Sequence, residues 1–178
     1  MRRLLAIVAL LAPMAAAFAE TEPAVSSAVV RVAITTRDIE AARRFYVEGL
    51  GYSVRYDGDI TNPENRTLLG LKGDERARFI VLDSNREFSG KKHDGAGIGL
   101  LAVSRRKLGR LAHPRRNELA AGEAMLAVET SDIAAVIQRL RAIGTPILSG
   151  PITGHDGHQI EIVVRDPDGT RIHIVEER

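Results

Sequence analysis

Two segments of the chain share one alternation of apolar and polar positions. Residues 32–41 (VAITTRDIEA) and residues 126–135 (LAVETSDIAA) both read as a strand that runs into the start of a helix. The identical pairs, at one constant offset, are Ala33/Ala127, Thr36/Thr130, Asp38/Asp132, Ile39/Ile133 and Ala41/Ala135. Asp38 and Asp132 are each placed to cap a helix by accepting hydrogen bonds from free backbone N–H groups. The pattern therefore predicts an internal repeat.

Helical spacing of apolar residues follows each capping aspartate. The second helix is expected to bury one face, formed by Ile133, Val136, Ile137, Leu140 and Ile143. The first is expected to bury a shorter face, formed by Ile39, Ala42, Tyr46 and the neighbouring Phe45. Glycines end both helices, at Gly49 and Gly51 in the first copy and at Gly144 in the second.

Strand-like runs separated by turn signals follow each helix. They span residues 52–56, 77–82 and 98–103 in the first half and residues 146–148, 159–164 and 171–175 in the second. Each half thus reads β-α-β-β-β, an α+β pattern, and neither half is large enough to close a core alone. We assign the first module to residues 28–104, a basic linker to residues 105–122 and the second module to residues 123–178.

The N-terminus has the order of a secretory signal peptide. Arg2 and Arg3 precede an apolar stretch, and residues 17–19 (AFA) give a small-x-small cleavage site. A retained membrane helix is less favoured, because the stretch is shorter than the ~20 residues of a span and contains Pro13. We therefore predict a signal peptide over residues 1–19, a linker over 20–27 and a periplasmic or secreted protein. Sec and twin-arginine export both remain open.

Composition narrows the functional classes. The 178 residues include no Cys, which excludes disulfides, thiolate metal sites and a Cys nucleophile. Removal of Arg2 and Arg3 with the signal peptide lowers the formal net charge from +2 to 0. Without a basic field, and with only 4% aromatic residues, no nucleic-acid partner is expected. No membrane association is expected after signal cleavage, since no basic amphipathic helix is present.

Several motifs together resemble the vicinal oxygen chelate superfamily, which includes glyoxalase I, extradiol dioxygenases and bleomycin-resistance proteins. They are residues 38–46 (DIEAARRFY) with Leu50-Gly51-Tyr52, residues 129–133 (ETSDI) with Leu140 and Gly144, and residues 165–170 (RDPDGT). The resemblance implies two βαβββ modules that curl around a cavity, and a homodimer. In the metal enzymes of this superfamily, the first and last strands of each module supply the ligands of a divalent ion.

By this resemblance the four ligand positions fall on Arg31, Gly99, Met125 and His173. Arginine has no lone pair to donate and glycine has no side chain. A thioether is a soft ligand that suits copper(I). His173 is the one ordinary ligand of the four. We therefore predict a cavity without the usual metal or other cofactor, while a divalent metal at His173 stays an alternative.

Charged groups near these positions suggest two kinds of chemistry. Arg31 can pair with a substrate carboxylate, phosphate or enolate, or it can form an internal ion pair with Glu129. Met125 and His173 complete the predicted ligand-binding set. His173, Glu129 and Glu161 are the candidate acid–base residues, although the strand alternation also allows Glu161 to face water.

Other histidines lie in loops. His155 and His158 flank Asp156-Gly157 and offer a second metal site, although the same residues suit a polar hairpin tip. His93 precedes a similar Asp-Gly turn, and His113 lies in the basic linker.

Two functional hypotheses follow, with a ligand-free scaffold as a third. The first is an exported small-molecule-binding protein, similar to bleomycin-resistance proteins and without the usual metal. The second is a metal-dependent lyase, isomerase or dioxygenase of the glyoxalase I type that uses His173. Fold alone does not choose between them.

Overall fold

The computed structural model describes residues 29–84, 87–88, 91–92, 97–104, 108–109, 117–155 and 157–177. The predicted signal peptide and N-terminal linker, His93, His113, Asp156 and most of the basic linker lie outside these residues. Within the described part of the chain, no helix is long and apolar enough to cross a membrane.

The described part of the first module contains one mixed sheet, two helices and a small hairpin. Its elements are β1 (Arg31–Thr35), α1 (Ile39–Arg44) with a π-helical continuation (Phe45–Gly49), β2 (Ser53–Asp59), α2 (Pro63–Leu68), β3 (Ala77–Asp83), the hairpin β4 (Glu87–Phe88) and β5 (Lys91–Lys92), and β6 (Gly97–Val103). The sheet order is β1-β6-β3-β2, in which β1 runs parallel to β6 and the other pairs are antiparallel.

The second module repeats this topology in a shorter chain. Its elements are β7 (Met125–Glu129), α3 (Ile133–Ala142), β8 (Ser149–Thr153), β9 (Gln159–Arg165) and β10 (Arg171–Glu177). The sheet order is β7-β10-β9-β8, again with the first strand parallel to the last. The predicted α+β fold of two βαβββ modules is therefore confirmed.

The repeated aspartates cap the helices as the sequence predicts. The carboxylate of Asp38 accepts from the backbone N–H of Ala41 at 3.0 Å, and that of Asp132 accepts from Ala135 at 2.9 Å. Gly144, with a φ of +80°, turns the chain after α3. This left-handed backbone costs glycine little, which explains why the repeat needs glycine there.

Two predicted strand boundaries are wrong at the edges of the sheets, and one short helix was not predicted. The eighth strand lies at Ser149–Thr153 rather than at residues 146–148, and Gly150-Pro151 belongs to it. Proline is tolerated there because β8 is an outer strand, whose free side needs no N–H donor. Strand β2 continues through Asp57-Gly58, which lie in register with Ile80 and Phe79 of β3, and the Asp57 carboxylate accepts from Arg78 Nε at 2.7 Å. Helix α2 was not predicted, although Asn62-Pro63 is typical of a helix start. Asn62 is the N-cap residue, and Pro63 is the first residue of the helix.

One hydrophobic core joins the two modules. The largest buried side chains come from both halves, among them Phe45, Leu82, Leu140 and Ile172. A Cβ atom at Gly49 would lie 2.9 Å from Leu140 Cδ2, so the end of the first helix and α3 are in close contact. Arg139 adds a hydrogen bond from its Nε to the Gly49 carbonyl at 3.1 Å. The relative position of the two sheets is therefore fixed by helix packing.

A buried polar link also crosses between the modules. Tyr46 donates to the carboxylate of Asp166 at 3.0 Å, and both residues are buried. The other oxygen of Asp166 accepts from the backbone N–H groups of Asp168 and Thr170, which closes the turn between β9 and β10. Burial is the main reason that the pKa values of Tyr46 and Asp166 are both raised.

Candidate functional site

Each sheet has one face on the core and one face turned away from it. Along β10, Ile172 and Ile174 are buried in the core, so the alternate residues Arg171 and His173 project from the opposite side. We call that side the open face of the second sheet. The open face of the first sheet carries Arg31 and Gly99 by the same alternation. All four predicted metal-ligand positions thus belong to open faces.

In the first sheet, both predicted ligand positions are in contact with the Phe79 ring. The Arg31 guanidinium lies 6.0 Å from the centroid of the Phe79 ring, within the range of a cation–π contact. A Cβ atom at Gly99 would lie 2.5 Å from Phe79 Cζ. The phenyl ring therefore occupies the space that a ligating side chain at position 99 would need.

In the second sheet, His173 is paired with Glu161. Their Nε2 and Oε2 atoms are 3.0 Å apart, and the side chains are 24% and 18% exposed. Glu161 thus faces His173 rather than bulk water. Met125 is 51% exposed on strand β7, which forms one edge of this sheet.

These donors do not fit a divalent metal site. Arg31 and Gly99 offer no ligand atom, and Met125 offers only a thioether. Within the described residues, no three His, Asp or Glu side chains are grouped as a metal site requires. His155 and His158 are exposed at the tip between β8 and β9, and the intervening Asp156 lies outside the description.

A cavity of about 440 Å³ lies between the modules. Apolar side chains from both halves line it: Val32, Leu50 and Ile98 from the first module, and Leu126, Val136 and Ile174 from the second. Met125 and Glu129, two of the predicted ligand-binding residues, also line it. Arg31, Glu161 and His173 lie outside its lining, so the predicted site residues fall into two groups.

The edge of strand β7 forms one wall of the cavity. Every residue from Met125 to Ser131 contributes to the lining, whereas the face of a strand would contribute only alternate residues. Strand β7 hydrogen-bonds to β10 on one side. Its other edge therefore offers backbone N–H and C=O groups to a molecule in the cavity.

A few side chains add polar groups to the cavity. Tyr52 and Asp83 line it on the side of the first module, and Arg139 on the side of the second. The pKa of Tyr52 is raised, mainly by burial and further by the nearby Asp83 carboxylate. Tyr52 is therefore a neutral hydrogen-bond donor at ordinary pH. Sequence reasoning missed Asp83, which follows the predicted strand at residues 77–82 as a turn residue, and Arg139, for which the sequence offers no signal.

The end of the basic linker is attached to the open face of the second sheet. Arg171 donates to the backbone carbonyls of Asn117 and Glu118 and to the Asn117 side chain. Arg165 pairs with Glu123 and donates to the Gly169 carbonyl at 2.6 Å. We call residues 117–123 the cover segment. Sequence reasoning missed both arginines, although they share the alternation of His173.

Comparison of the chain with models of known protein families finds one matching family. A family model described as the Glyoxalase/Bleomycin resistance protein/Dioxygenase superfamily matches residues 28–174. Comparison with curated protein sequences finds no match.

Solved structures with the same fold are distant in sequence. A glyoxalase family protein from Bacillus cereus is 17% identical, with a TM-score of 0.67 over 89% of this chain and 99% of the other. A trypanothione-dependent glyoxalase I from Leishmania major is 19% identical, with a TM-score of 0.55 over 85% and 88%. An antibiotic binding protein from a Streptomyces species is 22% identical, with a TM-score of 0.50 over 88% and 100%.

The structural matches show the fold, and the family model covers both modules of the repeat. The capped helices, the buried Tyr46 and the turn at Asp166 all lie within the matched residues. On this evidence the chain belongs to the glyoxalase/bleomycin resistance protein/dioxygenase superfamily.

Proposed function

We propose that this protein binds a small organic molecule in the cavity between its modules and does so without the divalent metal of the superfamily's metal enzymes. The observation that carries the proposal is the cavity itself. Its volume of about 440 Å³ lies within the range of small-molecule sites. Its lining combines apolar side chains from both modules with a few polar groups, which is the usual composition of such sites.

The lining also suggests the character of the ligand. Val136 and Ile174 offer an apolar floor for a hydrocarbon or aromatic body. The edge of β7 and the Tyr52 hydroxyl offer hydrogen bonds at the margin. An uncharged or weakly charged molecule with a flat apolar body and amide or hydroxyl groups would satisfy both. The antibiotic binding protein from Streptomyces shows that a protein with this fold can bind an antibiotic.

Filling the cavity is expected to abolish binding. Ala127 is exposed and lines the cavity, so Ala127→Phe adds a ring there without disturbing the core. The probe is the uncharged fluorescent dye N-phenyl-1-naphthylamine, titrated into the native protein and followed by emission. We expect saturable binding to the wild type and at least about a tenfold loss of affinity in the variant, since most of the buried contact is removed.

The matched control is Ala142→Phe, which adds the same ring at an exposed position on α3 outside the cavity. It should bind the dye as the wild type does. Equal binding by both variants would show that the dye sits elsewhere and would remove the support for the cavity. A ligand found later at a hundredfold excess over its Kd should stabilise the protein by about 2.7 kcal/mol.

Metal analysis tests the second half of the proposal. Elemental analysis of protein purified without chelator or affinity tag should give far less than one divalent ion per chain, and His173→Ala should not change that content. The reason is that Arg31, Gly99 and Met125 supply no suitable donor beside His173. Stoichiometric metal that disappears in His173→Ala would instead support the lyase, isomerase or dioxygenase alternative. Metal that persists in the variant would direct attention to His155 and His158.

Export and homodimerisation belong to the same proposal. The order of a basic start, an apolar stretch and an AFA site supports removal of residues 1–19 and a periplasmic or secreted location. The intact mass of the sample used for metal analysis checks the cleavage, because retention of residues 1–19 would contradict it. Light scattering on that sample checks the dimer.

A further inference from the structure

Two arginines on the open face of the second sheet lie outside the cavity. Arg165 of β9 and Arg171 of β10 are direct partners across the antiparallel pair. Residues in that relation have Cβ atoms about 4.5–5.5 Å apart on the same face. Arg171 is only 5% exposed, and the Arg165 side chain is 13% exposed. Two guanidinium groups are therefore buried side by side.

Part of their hydrogen-bonding capacity is used by the cover segment and the nearby turn. Arg171 donates from its two terminal nitrogens to Asn117 and Glu118. Arg165 donates from Nη1 to Glu123 and to the Gly169 carbonyl. These contacts hold both side chains in place and leave the remaining donors in fixed positions.

The remaining donors point to a ligand. Arg165 Nε, Arg165 Nη2 and Arg171 Nε belong to the small group of buried side-chain atoms in the described residues that have no hydrogen-bond partner. Native proteins rarely bury such donors without a partner, so each one calls for an explanation. Nε and Nη2 of one guanidinium form the side-by-side edge that binds a carboxylate through two parallel hydrogen bonds.

The local charge indicates which anion fits. Two guanidinium groups face one carboxylate, Glu123, which leaves one formal positive charge. Asp168, at the nearby turn, is paired with Arg37 at 3.5 Å. His173 and Glu161 lie further along the same face and are paired with each other. A carboxylate carries one negative charge and matches this balance, whereas a phosphate group carries nearly two.

We propose that Arg165 and Arg171 form a buried anion site beneath the cover segment and that it binds the carboxylate of a small organic acid. Neither arginine lines the cavity between the modules, so this site stands apart from the proposed function. Arg165 Nε and Nη2 hold the two carboxylate oxygens, and Arg171 Nε donates to one of them. Residues 117–122 are exposed, so the cover segment lies between the two arginines and solvent.

The direct test observes the arginine donors themselves. Sodium acetate is titrated into ¹⁵N-labelled full-length protein against sodium chloride at constant ionic strength, and the arginine Nε–H signals are followed by NMR. We expect the Arg165 and Arg171 Nε–H protons to shift downfield and to saturate with acetate alone. Unshifted signals that show transfer from water would overturn the proposal, because water would then be the missing partner.

A matched pair of variants tests the geometry. Arg165→Lys keeps a cation for Glu123 but removes the two-pronged edge. It should weaken acetate binding by at least about tenfold, measured as the acetate-dependent rise of Tm. Arg141→Lys, an exposed position on α3, should behave as the wild type does. Equal acetate responses in all three proteins would contradict the assignment. If Arg165→Lys does not fold, the NMR titration of the wild type with acetate still tests the proposal. Cavity binding of the dye should be unchanged in Arg165→Lys, which keeps the two proposals separable.

Discussion

Leu140→Ala should lower the free energy of unfolding by about 3 kcal/mol, with a lower Tm in a thermal or denaturant melt. Leu140 is fully buried and packs against the end of the first helix at Gly49. Truncation removes buried methyl groups and leaves a cavity at the contact between the modules. Because the glycine has no side chain that could move into the gap, little of the loss is recovered.

The same substitution at an exposed leucine provides the control. Leu119 is 75% exposed, so Leu119→Ala should change the free energy of unfolding by less than about 0.5 kcal/mol. A Leu140→Ala effect no larger than that of Leu119→Ala would show that the two modules do not depend on this contact. Dye binding in the cavity should weaken in Leu140→Ala, since the neighbouring Arg139 and Val136 line it.

Tyr46→Phe should destabilise the protein by about 1–3 kcal/mol near neutral pH. The hydroxyl of Tyr46 is a donor to the buried Asp166 carboxylate, and its removal leaves that oxygen without this partner. The hydrogen bond lowers the pKa of Asp166 against the larger effect of burial, so the pKa should rise further in the variant. Chemical unfolding at a series of pH values measures the effect.

The pH dependence has a definite sign. The pKa of Asp166 is raised in the folded protein, so its contribution to stability is complete below the unfolded value of 3.8 and is lost as pH rises through the folded value. The free energy of unfolding of Tyr46→Phe should therefore be closest to that of the wild type at acidic pH. The difference should grow as pH rises. The pKa of Tyr46 is raised well above 10.0, so the wild type loses stability above pH 10 by up to about 1.4 kcal/mol per pH unit from this group.

Tyr46→Phe lacks this titrating group. The difference in free energy of unfolding between the variant and the wild type should therefore become smaller above pH 10. Tyr56→Phe is the control, because Tyr56 is 49% exposed and its loss should cost less than about 0.5 kcal/mol. A Tyr46→Phe deficit that does not vary with pH would contradict the coupling between Tyr46 and Asp166.

The sequence by itself determined the repeat and the fold. Asp38 and Asp132 cap their helices through local hydrogen bonds, and Gly144 turns the chain where only a residue without Cβ does so at low cost. Alternation placed Ile172 and Ile174 in the core and His173 on the opposite face. These features depend on residues within a few positions of each other, so a single sequence contains them.

Tertiary structure decided the contacts of the site. His173 meets Glu161 across two strands, and Phe79 fills the space at Gly99, because strand register brings these side chains together. The cavity is lined by residues of both modules, and Leu140 and Gly49 bring α3 into contact with the first module. Arg165 and Arg171 read as ordinary surface cations until the cover segment buries them. Burial and partner choice depend on residues far apart in the chain, and no local pattern records them.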